Sequence, residues 1–170
     1  NYQNKQLFAE DVPLNDIAKK YGTPAYVYSR ATLERHAKAY TESFNSMNGL
    51  VCFSVKALSN ISILKILKNC GCGFDIVSGG ELHRVLLAGA EPKKIIFSGV
   101  GKSKAEMSAG IKNDILSFNI ESESELIQLE KVAAEMGKTA PVAIRFNPGV
   151  DAGVHEFTKT GRKSDKFGVS

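Results

Sequence analysis

The sequence predicts an α/β fold in which helices connect the strands of a parallel sheet. Short apolar runs recur roughly every 21 to 26 residues, and a helical pattern of about ten to fourteen residues separates each run from the next. The same order, a strand and then a helix, repeats along this region, which indicates β/α units rather than hairpins. The predicted strands are Leu50–Val55, Gly73–Val77, Lys94–Ser98, Ile115–Ile120 and Val142–Phe146.

Helix starts in this repeating region share a serine that is followed three residues later by a glutamate. The spacing is typical of the capping box, in which each side chain binds a free backbone N–H of the first turn. Glycines near the predicted helix ends suit the residue that commonly terminates a helix. The starts are Ser78 with Glu81, Ser103 with Glu106, and Ser122 with Glu125, and the ends are Gly71, Gly89 and Gly137.

The first fifty residues follow a different pattern. Apolar residues on one face predict a helix from Leu14 to Tyr21, and Gly22 suits its end. Ala25–Tyr28 has strand character, and Ser29 is placed to cap a second helix. The apolar faces consist of Leu14, Ile17, Ala18 and Tyr21 in the first helix and of Leu33, Ala37, Tyr40 and Phe44 in the second.

A parallel sheet with this connectivity is either open and doubly wound or closed into a barrel. The sequence favours the barrel, because no strand is followed by a G-x-G-x-x-G turn and Gly79-Gly80 is too short to be one. Polar residues instead follow successive strands, whose C-terminal ends converge on one mouth in a (β/α)8 barrel. Five strands cannot close such a barrel, so we expect these residues to be part of a longer protein. The polar residues are Lys56, Asp75, Ser78, Ser98, Glu121, Arg145 and Asn147.

Composition narrows the classes of function. The formal net charge of +4 is mild and lysines alternate with glutamates, so we expect no nucleic-acid partner. No apolar stretch reaches the roughly 18 residues of a membrane span, and Asn1–Lys5 is not followed by the apolar run of a secretory signal. Three cysteines, an odd number, predict reduced thiols in a cytoplasmic protein. Cys70-Gly71-Cys72 lacks the spacing of a zinc site, so no metal is expected.

Lys56 carries the clearest chemical prediction. It closes the first buried strand, at the end where barrel enzymes keep their reactive groups. Desolvation favours the neutral amine, which is the form that condenses with a carbonyl to make a Schiff base. From position alone, a solvated strand-end lysine is the alternative.

Several segments, taken in order, resemble one family of pyridoxal-phosphate-dependent enzymes. These are the decarboxylases of the alanine racemase-like barrel type, and the similarity is strongest to the N-terminal portion of the bacterial diaminopimelate decarboxylases. Phe53-Ser54-Val55-Lys56-Ala57 resembles the family motif Y-A-x-K-A, whose lysine holds the cofactor. The other similar segments are Tyr21–Tyr28, Gly73–Leu82, Asn119–Ser122 and Arg145–Pro148.

The resemblance implies a (β/α)8 barrel that binds pyridoxal phosphate, with about five units in residues 29–170. It implies that residues 1–28 associate with a C-terminal β-domain beyond this sequence, and that a homodimer shares its active sites. The implied reaction is decarboxylation of meso-2,6-diaminopimelate to L-lysine in lysine biosynthesis, and we expect the 170 residues alone to be inactive.

Two other functions remain open on the sequence. One is decarboxylation of arginine, ornithine or carboxynorspermidine on the same scaffold. The other is a non-catalytic barrel that binds pyridoxal phosphate, although such single-domain proteins would lack a segment like Leu7–Tyr28.

The resemblance also assigns roles to individual residues. Lys56 holds the cofactor covalently and is the catalytic residue. Asp75 orients Lys56 or the cofactor, and the alternative is a carboxylate that caps the following helix. Glu81 lies near the cofactor, and the alternative is that it completes the capping box with Ser78. Arg145 faces the cofactor side of the pocket, and the alternative is a structural ion pair.

Weaker expectations concern Ser98 and Glu121, which occupy similar strand-end positions. His155 either shapes the mouth of the pocket or is an ordinary loop histidine. Its loop, His155–Gly161, departs from the family pattern H-P-x-I-x-T-G, with Glu156 in place of proline and Lys159 in place of serine.

Overall fold

The computed structural model describes residues 1–150, 153, 155, 158–162 and 166–169. The chain begins with a small antiparallel sheet of three strands in the order β1-β2-β3. These strands are β1 (Tyr2–Gln3), β2 (Gln6–Ala9) and β3 (Val12–Pro13), and helix α1 (Leu14–Tyr21) follows directly. Gly22 ends α1 with a φ of 80°, as the sequence predicts.

The predicted strand at Ala25–Tyr28 is wrong. The segment is irregular, and Tyr26 is 91% exposed. Tyrosine and valine favour extended backbone, but a strand also needs a neighbour to complete its ladder of hydrogen bonds. Within the described residues, no strand pairs with this segment. It leads instead into α2 (Arg30–Ser43). Ser29 caps the N-terminus of this helix, because its side chain accepts a hydrogen bond from the Thr32 N–H.

A second sheet of five parallel strands follows, in the order of the chain. All five predicted strands are present, each shorter than predicted, and the helices lie between them as expected. The strands are β4 (Cys52–Ser54), β5 (Gly73–Ile76), β6 (Ile95–Phe97), β7 (Ser117–Ile120) and β8 (Val142–Ile144). The helices are α3 (Ile61–Asn69), α4 (Gly79–Leu87), α5 (Lys104–Lys112) and α6 (Glu123–Glu135), with short 3₁₀ turns at Asn45–Met47, Val55–Ala57 and Pro92–Lys94.

The two faces of this sheet differ in chemistry. One face packs under the helices with fully buried side chains, among them Phe74, Phe97 and Phe118, and the last two rings stack at 5.9 Å between centroids. Because side chains alternate along a strand, the residues between them point to the opposite face. There, Asp75 pairs in register with Ser54 on one side and Ile96 on the other. This second face carries the polar residues and is the inner face of the incomplete barrel.

The three serine caps form as predicted, but two of the three capping boxes do not. Each serine accepts a hydrogen bond from the N–H three residues later. Only Glu106 returns the bond to its own cap, Ser103. Glu81 and Glu125 accept instead from the residue before the serine, Val77 N–H at 2.8 Å and Glu121 N–H at 2.7 Å. Each of these carboxylates therefore fixes the backbone N–H of the residue just after a strand and does not bind the N–H of the capping serine.

Among the described residues, no helix has the length and apolar character required to span a bilayer. The three cysteines are free thiols, and burial raises the pKa of Cys52 to about 11. Cys52 is therefore protonated at neutral pH.

Candidate active site

The C-terminal ends of the five parallel strands enclose a cavity of about 480 Å³. It gathers residues that lie in or just after each of these five strands, together with Phe167. The lining consists of Lys56, Asp75, Val77, Ser98, Gly99, Asn119, Ile144, Arg145 and Phe167. The structure thus brings together four residues that the sequence singled out, Lys56, Asp75, Ser98 and Arg145.

Lys56 lies in the 3₁₀ turn Val55–Ala57 that continues directly from β4. Val55 is fully buried and Leu58 N–H closes the turn on its carbonyl at 3.0 Å, so the backbone beneath the lysine is anchored. The side chain is exposed to the cavity and makes no hydrogen bond or ion pair with any residue that the structure describes. Its amine is available to a ligand.

Asp75 is the end of a hydrogen-bond chain that crosses three strands. Asn119 Nδ2 donates to Ser98 Oγ at 2.9 Å, and Ser98 Oγ donates to Asp75 Oδ1 at 2.5 Å. The alternative role of Asp75 as a helix cap is not what the structure shows, because Ser78 caps α4. A hydrogen bond of this kind fixes the orientation of a carboxylate.

Ser54 lies beside Asp75 in register, on the same face. Its hydroxyl is buried and has no hydrogen-bond partner among the described residues. A buried unpaired hydroxyl is uncommon and indicates a position where a further group is expected. The unpaired Lys56 amine therefore lines the cavity, whereas the unpaired Ser54 hydroxyl is buried beside Asp75 and is not among the lining groups.

Arg145 follows β8, forms an ion pair and lines the cavity, and its contact with the cofactor stays a prediction. Its Nη1 lies 3.0 Å from Glu121 Oε1, which is the predicted alternative of a structural ion pair. Its guanidinium also lies 4.6 Å from the ring centre of Phe167 and lines the cavity. The arginine side chain is 38% exposed, whereas that of Glu121 is 3% exposed. The ion pair holds the guanidinium at the cavity edge and leaves part of it open.

Three predicted residues lie outside the cavity lining, namely Glu81, His155 and Glu121, the last of which pairs with Arg145. The Glu81 carboxylate accepts a hydrogen bond from the backbone N–H of Val77, just after β5. It therefore contacts a residue that lines the cavity and is not itself a lining residue. His155 is exposed in the loop, where its carbonyl accepts from the Thr158 N–H at 2.9 Å and hydroxyl at 2.8 Å. Glu156, the departure from the family pattern, lies outside the described residues.

Sequence reasoning missed Asn119 as a site residue and did not identify the buried lysine behind it. Lys102 has a side chain only 1% exposed and forms an ion pair of 2.5 Å with Glu125. Asn119 could have been found from its position two residues before Glu121 on a strand, since alternate residues share a face. Nothing in the sequence distinguishes Lys102 from the solvated lysines of the helices.

Comparisons with known proteins agree with this geometry. A family model described as "Pyridoxal-dependent decarboxylase, pyridoxal binding domain" matches residues 30–170. The diaminopimelate decarboxylase of Vibrio cholerae is 54% identical over all of this chain and 41% of its own length.

Solved structures give the same similarity. Diaminopimelate decarboxylase from Helicobacter pylori, complexed with L-lysine, superposes with a TM-score of 0.86 at 40% identity, over 91% of this chain and 39% of that one. The M. jannaschii enzyme, in co-complex with L-lysine, has a TM-score of 0.88 at 36% identity, over 99% of this chain and 40% of that one. The chain thus spans about 41% of the length of the curated relatives that it matches.

Proposed function

Since this chain belongs to the family of pyridoxal-dependent decarboxylases, through their pyridoxal-binding domain, we propose that it is the N-terminal part of a diaminopimelate decarboxylase. The intact protein would remove carbon dioxide from meso-2,6-diaminopimelate to give L-lysine. The observation that carries the proposal is the unpaired Lys56 amine in the strand-end cavity, beside Asp75, Ser98 and Arg145. The 54% identity to a diaminopimelate decarboxylase supports the substrate.

The residues present fit pyridoxal phosphate. The cofactor's aldehyde needs a free amine, which Lys56 supplies in the cavity. Its ring nitrogen, hydroxyl and phosphate are polar, and this wall offers hydroxyl, amide, carboxylate and guanidinium groups. When bound, pyridoxal phosphate supplies an electron sink for the charge left on the substrate carbon as carbon dioxide departs.

The chain's own residues have distinct roles in this proposal. Lys56 holds the cofactor, and its anchored turn keeps the amine at the end of β4. Asp75, oriented by the Ser98 hydroxyl, presents a fixed carboxylate to the cofactor side of the cavity. Arg145 supplies a cation at the opposite edge. Glu81 remains a predicted cofactor-binding residue. Its carboxylate binds the N–H of Val77, so it would support the cofactor by fixing that part of the cavity wall.

The proposal includes an assembly and a location. Residues 1–28 would pack on a C-terminal β-domain, and two subunits would share each active site, as the family resemblance implies. The partner is a small amino-acid substrate, and the location is the cytoplasm, where Cys52, Cys70 and Cys72 stay reduced.

The direct test is covalent trapping of the cofactor in the intact protein. Borohydride reduction followed by peptide mass mapping should place a pyridoxyl group on Lys56. The Lys56→Ala variant should lose the label and slow turnover by several powers of ten, about 10³-fold or more, because it lacks the nucleophile. Lys65→Ala, which removes an exposed lysine of α3, is the matched control and should keep both. A pyridoxyl group on another lysine of the holoprotein would refute the assignment.

The substrate is tested by comparing amino acids on the same preparation. Carbon dioxide release should be far faster from meso-2,6-diaminopimelate than from arginine or ornithine. A preference for either of the latter would assign the chain to the related decarboxylases of the same scaffold.

A further inference from the structure

Three charged or polar side chains are buried within the part of the chain that the structure describes, and all three belong to one network. They are Lys102 at 6% exposure, Glu121 at 5% and Glu125 at 9%. The network runs behind the strand ends and emerges at Arg145, on the edge of the cavity that holds Lys56.

The network begins at Lys102, whose ammonium has three N–H groups and three acceptors. It donates to Gly99 carbonyl at 2.8 Å, to Asn119 carbonyl at 2.8 Å and to Glu125 Oε1 at 2.5 Å. Gly99 lies in the turn after β6, and Asn119 lies on β7. One side chain therefore joins the ends of two strands to the start of α6.

Glu125 passes this constraint to Glu121. Its second oxygen accepts from the Glu121 backbone N–H at 2.7 Å. The Glu121 carboxylate then divides between two donors, Arg145 Nη1 at 3.0 Å and Gly168 N–H at 2.9 Å. The position of the Arg145 guanidinium thus depends on a carboxylate whose own backbone is held by Glu125.

Stability alone is a weak reason for this arrangement. Removing an ammonium and two carboxylates from water is costly, and apolar residues of similar volume often replace buried ion pairs without loss of stability. Hydrogen-bonded charges do supply fixed geometry, and fixed geometry is what a cavity-edge cation requires.

We propose that Glu125 is a positioning residue for Arg145, with Lys102 as the counterion of its buried carboxylate. Glu125 holds the Glu121 backbone so that the Glu121 carboxylate points the guanidinium at the cofactor side of the cavity. The inference rests on the proposed function, because it takes Arg145 to contact the cofactor.

The test uses two double variants of the intact protein that differ in a single group. Both Lys102→Met/Glu125→Leu and Lys102→Met/Glu125→Gln remove the buried charges together, so neither leaves one charge unpaired. Only the glutamine variant still offers an acceptor to the Glu121 N–H. A role in stability alone would affect cofactor binding by both variants alike, whereas a positioning role separates them.

We expect the leucine variant to bind pyridoxal phosphate about tenfold more weakly than the parent, the size of effect that loss of one charge-assisted hydrogen bond produces. The glutamine variant should stay within about twofold of the parent. In an Arg145→Ala background, the leucine and glutamine variants should bind equally, because the residue through which they act is absent. Equal affinities of the two variants with Arg145 present, or an undiminished difference without it, would overturn the proposal.

A crystal structure of the cofactor-free leucine variant supplies a second readout that does not depend on the reaction. The Arg145 guanidinium should leave the Glu121 carboxylate, and an unmoved ion pair would overturn the inference. If the parent binds no pyridoxal phosphate on Lys56, the proposed function fails, and this structure still decides whether Glu125 positions Arg145.

Discussion

At the scale of single residues, the site is defined by which polar groups have partners and which do not. Asp75 receives a hydroxyl hydrogen bond from Ser98, which in turn receives one from Asn119. Lys56 and the Ser54 hydroxyl have no partners within the described part of the chain. Paired groups are held in place, and the Lys56 amine, which lines the cavity, is available to a ligand.

Replacement of Ser98 by alanine tests whether the hydrogen-bond chain from Asn119 through Ser98 orients Asp75. The change removes the donor to Asp75 and leaves Asn119 without its acceptor, at a cost of about 1 kcal/mol. We therefore expect pyridoxal phosphate to bind about fivefold more weakly, by absorbance titration of the cofactor-free intact protein. Ser98→Thr keeps the hydroxyl and should bind like the parent. Parent-like affinity in the alanine variant would show that the chain does not orient Asp75.

At the scale of elements, helix starts are tied to one another as well as capped. Glu106 closes its own box on Ser103 at the start of α5. Its other oxygen accepts from Gly79 N–H at 2.8 Å, at the start of α4. The bond from Ser103 N–H, followed by that from Gly79, lowers the pKa of the Glu106 carboxyl. Because the folded chain favours the charged carboxylate, this group adds stability at neutral pH.

The pH dependence of that contribution has a definite sign. A lowered folded-state pKa gives stability that is present above the unfolded value of 4.5 and lost as pH falls through the lower folded value. Glu106→Gln should therefore cost about 1 kcal/mol of unfolding free energy at pH 7 and progressively less below pH of about 4. Urea unfolding at both pH values measures it. Glu130→Gln, at an exposed position of α6, should show no such trend; a pH-independent loss for Glu106→Gln would contradict the argument.

Close packing of α5 on the sheet depends on Gly110. A Cβ at this position would lie 2.6 Å from Phe118 Cζ and 3.2 Å from Ile115 Cδ1. Alanine is the better helix former by about 1 kcal/mol, but overpacking a buried contact costs about 1 to 3 kcal/mol. We expect Gly110→Ala to destabilise the protein in urea unfolding.

Gly80 in α4 supplies the matched control. A Cβ there would meet only Ser78 Oγ, at 3.8 Å. Gly80→Ala should therefore be neutral or stabilising by up to about 1 kcal/mol. If both glycines tolerate alanine equally, the contact with Phe118 does not set the distance of α5 from the sheet.

At the scale of the whole molecule, the outer edges of β4 and β8 have no strand partner among the described residues, apart from an isolated bridge between Phe146 and Val169 just after β8. Strands β4 and β8 each pair on one side, and all three residues of β8 are exposed. An unpaired strand edge carries free backbone N–H and C=O groups, which proteins ordinarily pair or cover with further chain. The proposal that residues 29–170 form part of a (β/α)8 barrel accounts for the exposed apolar residues Val142 and Ile144.

The N-terminal unit is fastened to this partial barrel through Glu10. Its carboxylate accepts from Ser29 Oγ and from Ala31 N–H, both at 2.8 Å, at the N-terminus of α2. The Ala31 bond is the main cause of the lowered pKa of Glu10, so the carboxylate is charged at neutral pH. The assignment of residues 1–28 to a C-terminal β-domain remains a prediction. The Glu10 hydrogen bonds show that this segment also contacts the start of α2.

Shared active sites would make inactive subunits complement one another. A full-length Lys56→Ala variant and a full-length variant disrupted in the C-terminal domain should each be inactive. After subunit exchange, random reassortment places half the molecules in heterodimers with one wholly parental site, so activity should recover toward about a quarter of normal. Refolding each variant alone is the control. No recovery on mixing would show that every site is built within one chain.

Local pattern determined the repeating part of the fold. The five strands and the helices between them follow from apolar periodicity, and the serine caps follow from the short range over which a hydroxyl reaches its own first turn. The same locality placed Lys56 at a strand end, and the resemblance of its flanking residues assigned the chemistry. Each of these properties depends on neighbours within about one helical turn.

Tertiary structure alone decided the partners of the charged groups. Lys102 is buried because backbone and carboxylate acceptors from 3 to 23 residues away surround it, and Arg145 meets Glu121 across 24 residues. The apparent strand at Ala25–Tyr28 failed for the same reason, since no neighbour completes its ladder in the described residues. Burial and pairing depend on where distant segments meet, and a local pattern does not encode that meeting point.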